Sequence, residues 1–428
     1  MEIERIKKII VDQKEDLLDF FQREKIIERD LDMKKIAGFL SHPNALVITG
    51  PRRSGKSTLA VSIFKEKKFG YLNFDDERLA GFTSEDFDTA LQAFYELYGS
   101  ELSIFVFDEI QNIYGWELFI GRLRRTKKIV ITGSNARLLS GELATHLTGR
   151  YLDTVLYPFS FREFLKIKEV SLDSEDLYSA KRFSRIKILL DEYLKVGGFP
   201  EVFKFGSAMA GKIYEDIINR DILIRHKIKN QAAFKELSNY LLSGFGGEFS
   251  YSKLGKIFGI KNVHTTKNYV DYLSSSYLIV ILEKFSYKLK EQYITSKKVY
   301  GIDTGLVNYQ AFQFSGNLGK ILENAVLLEL LRRSAGNGSM KIYYWQDYQG
   351  REVDFVVKEG NKIIQLIQVC QTLENPGTSE REIKSLLKAS DELRCDDLLI
   401  ITRSSEGTEE IKGRKIKIVS AWKWLLNL

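Results

Sequence analysis

The sequence predicts an α/β protein whose first third is a parallel sheet wrapped by helices, followed by a mostly helical middle and a second α/β region. Three observations carry this expectation. Short β-rich runs alternate with longer helical stretches across residues 44–165, the pattern of a parallel sheet. Residues 166–300 carry mainly helical periodicity. From residue 317 onward strand and helix signals are mixed again.

At 428 residues, with 44% hydrophobic and 28% charged side chains, the chain has room for two or three globular domains and a sizeable core. No apolar run approaches the ~18 residues of a membrane span. The longest apolar stretches, such as Tyr277–Leu282, have the length of a core strand. The start, MEIERIKKII, lacks the apolar centre of a signal peptide. Two cysteines, Cys370 and Cys395, and four histidines argue against a disulfide framework and a zinc site. The expectation is a cytoplasmic protein with no membrane partner. The net charge of +7 permits contact with nucleic acid without demanding it.

In chain order, residues 1–43 are charged with aliphatic residues at helical spacing (Ile9, Ile10, Leu17, Leu18, Phe21), which predicts one or two amphipathic helices. Five strands are then expected at Ala45–Thr49, Gly70–Phe74, Ser103–Asp108, Ile129–Thr132 and Thr154–Leu156. The core is taken as 44–165, the helical middle as 166–300 and the last domain as 301–428. In that last domain a helix near Leu318–Arg333 precedes paired strands around Lys341–Trp345 and Glu352–Lys358. A strand at Ile363–Val369, a helix near Arg381–Leu387 and strands at Leu398–Thr402 and Lys415–Val419 follow.

The strongest motif is Gly50-Pro51-Arg52-Arg53-Ser54-Gly55-Lys56-Ser57, which fits G-x-x-x-x-G-K-[ST] between an apolar strand and a helical run beginning at Thr58. Such a loop lets backbone N–H groups and a helix N-terminus surround phosphate oxygens. Residues Gly50 to Thr58 are therefore the expected nucleotide-binding segment, for ATP or ADP. Lys56 is expected to neutralise the β- and γ-phosphates, and the Ser57 hydroxyl to ligate Mg²⁺. Arg52 and Arg53 are bulky for the loop and are expected to face solvent or a partner, or to close over the nucleotide.

A magnesium site needs a further acid, and hydrolysis needs a group that polarises water. The apolar run Ser103–Phe107 leads into Asp108 and Glu109, assigning Asp108 to the metal and Glu109 to the attacking water. A strand at 70–74 falls between the two motifs in sequence, so the acid strand and the loop strand are expected to be separated in space by a further strand. After Ile129–Thr132 come Gly133, Ser134 and Asn135. Ser134 and Asn135 are candidates to touch the γ-phosphate or the water, with Asn135 preferred. Arg150, flanked by Gly149, is the candidate cation to be supplied to the phosphates of a neighbouring subunit, which makes a homo-oligomer a candidate assembly.

Taken together, PRRSGKSTL, FVFDEIQN with Trp116 shortly after, ITGSNARLLS and LTGRYLDTVLYPFSFREFL resemble the archaeal and bacterial AAA-type ATPases of the STAND-related archaeal ATPase group. Many of these end in a domain of unknown function with a restriction-nuclease-like fold. The resemblance continues through GGFPEV (Gly197–Val202), YLIVILEKF, Tyr300–Leu306, Glu323-Asn324 and Arg351–Phe355, and so covers nearly the whole chain. It implies a P-loop core of the additional-strand, catalytic-glutamate type with sheet order 5-1-4-3-2.

Residues 235–283 read as a winged-helix module. One helix is expected at Tyr251–Gly259 and a recognition-like helix at Thr265–Ser274 with Lys267, Asn268 and Tyr269, followed by a wing strand at Tyr277–Glu283. Duplex DNA is a candidate partner for that helix, as is a packing or subunit contact. The run Arg220–Lys229 is a second basic element.

Restriction-type nucleases need a helix glutamate, a strand aspartate and an acid-x-lysine pair on the next strand. Glu323 and Asp354 match the first two, with Glu352 nearby. The next strand carries Gln368 and Cys370 where the pattern places an acid and a lysine, so the domain is expected to keep the fold without cleavage. The functional expectation is an ATPase using ATP and Mg²⁺ to drive conformational change in the winged-helix and nuclease-like regions. The alternative is a nucleotide-gated DNA-binding or signalling switch with little turnover.

Overall fold

The computed structural model describes residues 1–31, 36, 38–39, 42–64, 66–139, 147, 149–171, 180–310 and 318–428. The chain divides into two compact units, Met1–Tyr157 and Pro158–Leu428.

The first unit is a five-stranded parallel sheet. Helix α1 (Ile3–Arg23) precedes β1 (Ala45–Thr49), α2 (Lys56–Ser62), β2 (Gly70–Asn73), α3 (Phe87–Tyr98), β3 (Ile104–Asp108), α4 (Trp116–Leu123), β4 (Lys128–Gly133) and β5 (Tyr151–Val155). The strand order is 2-3-4-1-5, which is the expected 5-1-4-3-2 read from the other edge. As expected, a strand stands between the loop strand β1 and the acid strand β3. It is β4, paired in parallel with both.

The sheet is buried on both faces, so its strands read as continuous apolar runs. Side-chain alternation divides the core. Ala45, Val47, Phe105, Phe107, Ile129 and Ile131 face a layer built with α1, α3 and α4. Leu46, Ile48, Ile104, Val106 and Val130 face Ala60 and Val61 of α2. Phe87 of α3 and Phe119 of α4 stack at 4.3 Å between centroids, and both pack on Phe107 or its neighbour Phe74. Helix α1 inserts Ile6, Ile9 and Ile10 into this core. Its buried Gln13 closes the end of edge strand β2, donating to the Asn73 carbonyl at 3.1 Å and accepting from the Asn73 N–H at 2.8 Å. Of the aliphatic residues that marked this segment as amphipathic, Leu18 points to solvent.

The second unit opens with helices α5 (Phe161–Ile167), α6 (Ala180–Val196), α7 (Pro200–Phe205) and α8 (Ala208–Asp216), the last running into a π-helical turn at Ile217–Ile224. Next come α9 (Gln231–Ser243), β6 (Gly247–Phe249), α10 (Tyr251–Ile257), α11 (Val263–Ser275), β7 (Ile279–Leu282), α12 (Leu289–Ile294) and β8 (Lys297–Gly301). The three strands form an antiparallel sheet of order β6-β8-β7. After α13 (Thr304–Gln310) and α14 (Leu318–Gly336) the chain builds its third sheet. This uses β9 (Met340–Gln346), β10 (Glu352–Glu359), β11 (Lys362–Cys370), α15 (Pro376–Leu393), β12 (Leu398–Thr402), β13 (Gly407–Ile411) and β14 (Arg414–Ser420), and ends in α16 (Ala421–Leu426). Its order is 13-14-12-11-10-9, with β11, β12 and β14 parallel and the two edges antiparallel.

Two of the sequence signatures turn out to be one structural joint. The Asp303 carboxylate, after β8, accepts the Gly198 N–H at 2.6 Å and the Leu306 N–H at 2.9 Å. The GGFPEV and Tyr300–Leu306 motifs thus meet around a buried acid. Burial lifts this carboxyl from the ordinary 3.8 to about 6, against the pull of those N–H groups. Replacing Asp303 with Ala strands two buried donors, at about 1–3 kcal/mol each, and should lower the denaturation midpoint of this unit. A folded pKa above the unfolded one means the native state holds the extra proton between 3.8 and about 6, so stability from this group falls as pH rises through that window. In Asp303→Asn that part of the slope should vanish in urea titrations taken across the same pH range.

Candidate functional site

All five strands of the first sheet run the same way, so their C-terminal ends share one edge, where crevices of open α/β sheets bind ligands. Strand β1 delivers Gly50, β3 delivers Asp108 and Glu109, and β4 delivers Gly133, Ser134 and Asn135 to that edge.

The loop between β1 and α2 has the backbone that its glycines permit. Gly55 has φ +93°, a left-handed conformation that lets the loop turn into α2. Gly50 lies so close to the Leu156 carbonyl that a Cβ there would overlap it. Pro51, Ser54 and Lys56 are buried, while Arg52, Arg53, Gly55, Ser57 and Thr58 are half-buried. Arg53 also has positive φ, at 65°. Arg52 pairs with Asp75 at 3.0 Å instead of facing solvent alone.

The charged centre is compact. Lys56 Nζ donates to the Pro51 carbonyl at 3.0 Å and lies 3.5 Å from Glu109 Oε1. Burial pushes the Glu109 carboxyl up, but the charge of Lys56, the Gln111 amide and the charge of Arg52 together take it below the usual carboxylate range. Glu109 holds φ +51°, a sparsely populated setting for a non-glycine residue. Its N–H donates to the Thr132 hydroxyl at 3.1 Å. Asp108 is fully buried, and burial with the adjacent Glu109 charge raises its pKa. The hydroxyls of Ser57, Thr132 and Tyr71 oppose that rise. Tyr71 donates to one Asp108 oxygen at 2.8 Å and Thr132 to the other.

Lys56, Ser57, Asp108 and Glu109 are therefore brought together as expected from sequence. Asn135 is buried just beyond the β4 tip. Arg150 is not brought to this edge. It is exposed and precedes β5, beside Ala45 at the opposite end of the sheet. Five residues of parallel strand put it roughly 16 Å from its own phosphate loop.

Four contributors escaped the sequence reading. Tyr71 and Thr132 look like ordinary core-strand residues, and only the strand pairing places them against Asp108. Gln111 sits in a 3-10 turn, Ile110–Asn112, directly after the acidic pair. Arg29 lies in a charged run before β1, yet its guanidinium donates to the Ser54 carbonyl at 2.9 Å and the Tyr157 carbonyl at 2.5 Å. It braces the phosphate loop from behind.

The donor set fits a magnesium nucleotide. The Ser54 hydroxyl and the Gln111 carbonyl oxygen are both buried without a hydrogen-bond partner, which marks polar groups awaiting a polar ligand. The hard oxygens of Ser57 and Asp108 suit Mg²⁺.

A second acidic cluster lies in the other unit. Glu323 on α14 and Glu352 and Asp354 on β10 converge, with Asp354 where the β9 pairing slips between Val353 and Val356. Into their midst β8 sends Lys298, which is buried with Nζ 3.1 Å from Glu323, 2.5 Å from Glu352 and 3.7 Å from Asp354. Tyr300 also donates to Glu323, at 2.6 Å. Burial and the neighbouring carboxylates raise the pKa of Asp354 well above its ordinary value. Gln368 turns away, donating to Glu382 and accepting the Asp354 N–H at 3.2 Å. Burial, with Glu382 and Asp354 nearby, pushes the Cys370 thiol up to about 12.

On α11, Lys267 is exposed and Asn268 contacts His264 at 3.3 Å. Tyr269 is buried, packing edge-on against Phe234, so it belongs to the core of this module rather than to a reading face. The basic run Arg220–Lys229 is partly internal: Asp221 and Ile222 are buried, and His226 stacks on Tyr272 at 3.8 Å.

Comparison with known proteins places the chain. Residues 42–165 match an AAA domain, residues 187–316 a domain of unknown function (DUF8612) and residues 318–424 a second one (DUF4143). Uncharacterized protein MJ1544 of Methanocaldococcus jannaschii is 37% identical across 96% of this chain and 94% of its own length. An uncharacterized Haemophilus influenzae protein is 30% identical across 94% of this chain and 99% of its own. Among solved structures, the Aeropyrum pernix ORC1 protein in complex with DNA corresponds at 13% identity over 67% of this chain and 92% of that one, with a TM-score of 0.32, too weak a likeness to bear on function. With its phosphate loop, its 2-3-4-1-5 sheet and relatives that align nearly end to end, the chain belongs to the AAA-type P-loop ATPases that carry a C-terminal DUF4143 domain.

Proposed function

We propose that the chain binds MgATP at the loop Gly50–Thr58 and hydrolyses it, and that the second unit uses the resulting change. The observation that carries this reading is the buried Lys56–Glu109 pair at 3.5 Å beside Asp108. Lys56 neutralises the β- and γ-phosphates. Ser57 and Asp108 would hold Mg²⁺, which when bound supplies further neutralisation of phosphate charge. Glu109, ionised at neutral pH, accepts the proton of the attacking water. Asn135 contacts the γ-phosphate or that water. Arg150, remote from its own loop, serves the site of a second copy in a homo-oligomer.

The second unit supports two further readings. The order α9-β6-α10-α11-β7-β8 with sheet β6-β8-β7 fits a winged-helix module. Lys253 and Lys256 of α10, Lys261 of the turn and Lys267 of α11 are all exposed, a basic face that suits duplex DNA. The C-terminal domain keeps a nuclease-like arrangement of acids, but Lys298 already supplies the cation among them. With Gln368 and Cys370 on the next strand, we read it as a non-cleaving domain.

Phosphate release should fall by about 10²–10³-fold in Glu109→Gln, while ATP still binds with near-normal affinity. In Lys56→Ala both binding and turnover should be lost. Tight ATP binding with no release from the unmodified chain would instead establish a nucleotide-gated switch. In fluorescence anisotropy with duplex DNA, replacing Lys256 and Lys267 with Glu should weaken binding. The salt slope should also shrink, by about one for each DNA phosphate that a lysine no longer neutralises. Incubation of supercoiled plasmid with Mg²⁺ should yield no nicking. Nicking that disappears in Asp354→Ala would overturn the non-cleaving assignment.

A further inference from the structure

Hydrolysis of a phosphoanhydride needs more than a base. A water poised for in-line attack must turn a lone pair toward phosphorus, so both of its protons need acceptors on the far side. Glu109 is one acceptor, and the loop and β4 tip hold a second.

Gln111 follows Glu109 by two residues, and its Nε2 donates to Glu109 Oε2. A carboxylate only accepts hydrogen bonds. The amide orientation is therefore fixed by chemistry: nitrogen toward Glu109, carbonyl Oε1 away from it. That oxygen is buried and has no hydrogen-bond partner. It rests on Gly133, at the end of β4, where a Cβ would overlap it. Lys56 lies on the other side of the same carboxylate, 3.5 Å from Oε1 of Glu109. Both Glu109 oxygens are thus engaged within the protein, Oε1 by Lys56 and Oε2 by Gln111, and the Gln111 carbonyl oxygen beside them is left without a donor. A buried carbonyl without a donor is costly, and water is a donor of the right size.

We propose that Gln111 is a catalytic residue, the second acceptor for the attacking water. This rests on the reading of the site as an ATPase. As the water oxygen bonds to the γ-phosphorus, one of its protons passes to Glu109 and the other stays hydrogen-bonded to Gln111 Oε1. The bond from phosphorus to the bridging oxygen breaks, and its electron pair leaves with ADP. The Nε2 bond to Glu109 keeps both acceptors in register during this step. Gly133 is then small because the Gln111 carbonyl occupies the space where a side chain would be.

The test uses the full chain, with steady-state phosphate release and ADP affinity measured side by side. Gln111→Met keeps the length of the side chain and removes the acceptor. It should lower kcat by at least about tenfold, with KM and ADP affinity within twofold of the unmodified protein. Gln111→Asn, which withdraws the carbonyl by one methylene, should show the same split, and it serves if the Met variant does not fold. An unchanged kcat in both variants would reduce Gln111 to a packing role. A raised kcat would make it a restraint on Glu109. Either result overturns the proposal while leaving the ATPase reading intact. Failure of that reading looks different: the unmodified chain would release no phosphate that depends on Lys56.

Discussion

The first unit is organised around one electrostatic constraint, a lysine and a glutamate kept buried 3.5 Å apart without collapsing onto each other. A bare buried pair is expensive because desolvation offsets its attraction unless further hydrogen bonds satisfy both partners. Here the Pro51 carbonyl holds the ammonium, and Gln111 holds the carboxylate. Those supports depend on the fold in turn. The loop conformation needs its glycines, and the left-handed backbone of Glu109 needs the Thr132 anchor on the neighbouring strand. The strand order matters for the same reason: with β4 between β1 and β3, Thr132 can hold both members of the acidic pair while leaving the loop free to wrap a ligand.

The second unit solves a comparable problem differently. Three carboxylates converge on a bulged strand and a helix, and the chain places its own ammonium, Lys298, among them. The lysine arrives from β8, in another sheet, so the three-stranded sheet and the C-terminal sheet are tied through a buried ion cluster. The first site leaves the Ser54 hydroxyl and the Gln111 carbonyl oxygen unsatisfied, whereas this one is closed by an internal cation.

Much of this was legible in the sequence, and the limits have physical reasons. The five strands of the core and the convergence of Lys56, Ser57, Asp108 and Glu109 followed from apolar runs ending in motif residues, because a strand buried on both faces announces itself. The resemblance of the motifs to known ATPases supplied the sheet order. Strand β13 went unread because GTEEI carries almost no apolar signal. It is an exposed edge strand whose hairpin turns through Lys412 and Gly413, both at positive φ. Tyr269 looked like a reading residue because helical position alone does not say which face packs; its contact with Phe234 decides that. Lys298 was invisible for a third reason. Its partners lie 25, 54 and 56 residues further along the chain, at Glu323, Glu352 and Asp354, and only the sheet topology brings them together.

The docking of α1 has a consequence for how the protein can be divided. The recognisable AAA domain begins at residue 42, but the folded unit does not. Ile6, Ile9 and Ile10 fill its core, Gln13 finishes the end of β2, and Arg29 supports the phosphate loop. A fragment cut at residue 42 would expose an aliphatic row and leave the Asn73 peptide groups without Gln13. The span of the matched domain and the boundary drawn by packing are therefore different, and the folded unit begins about forty residues before that span.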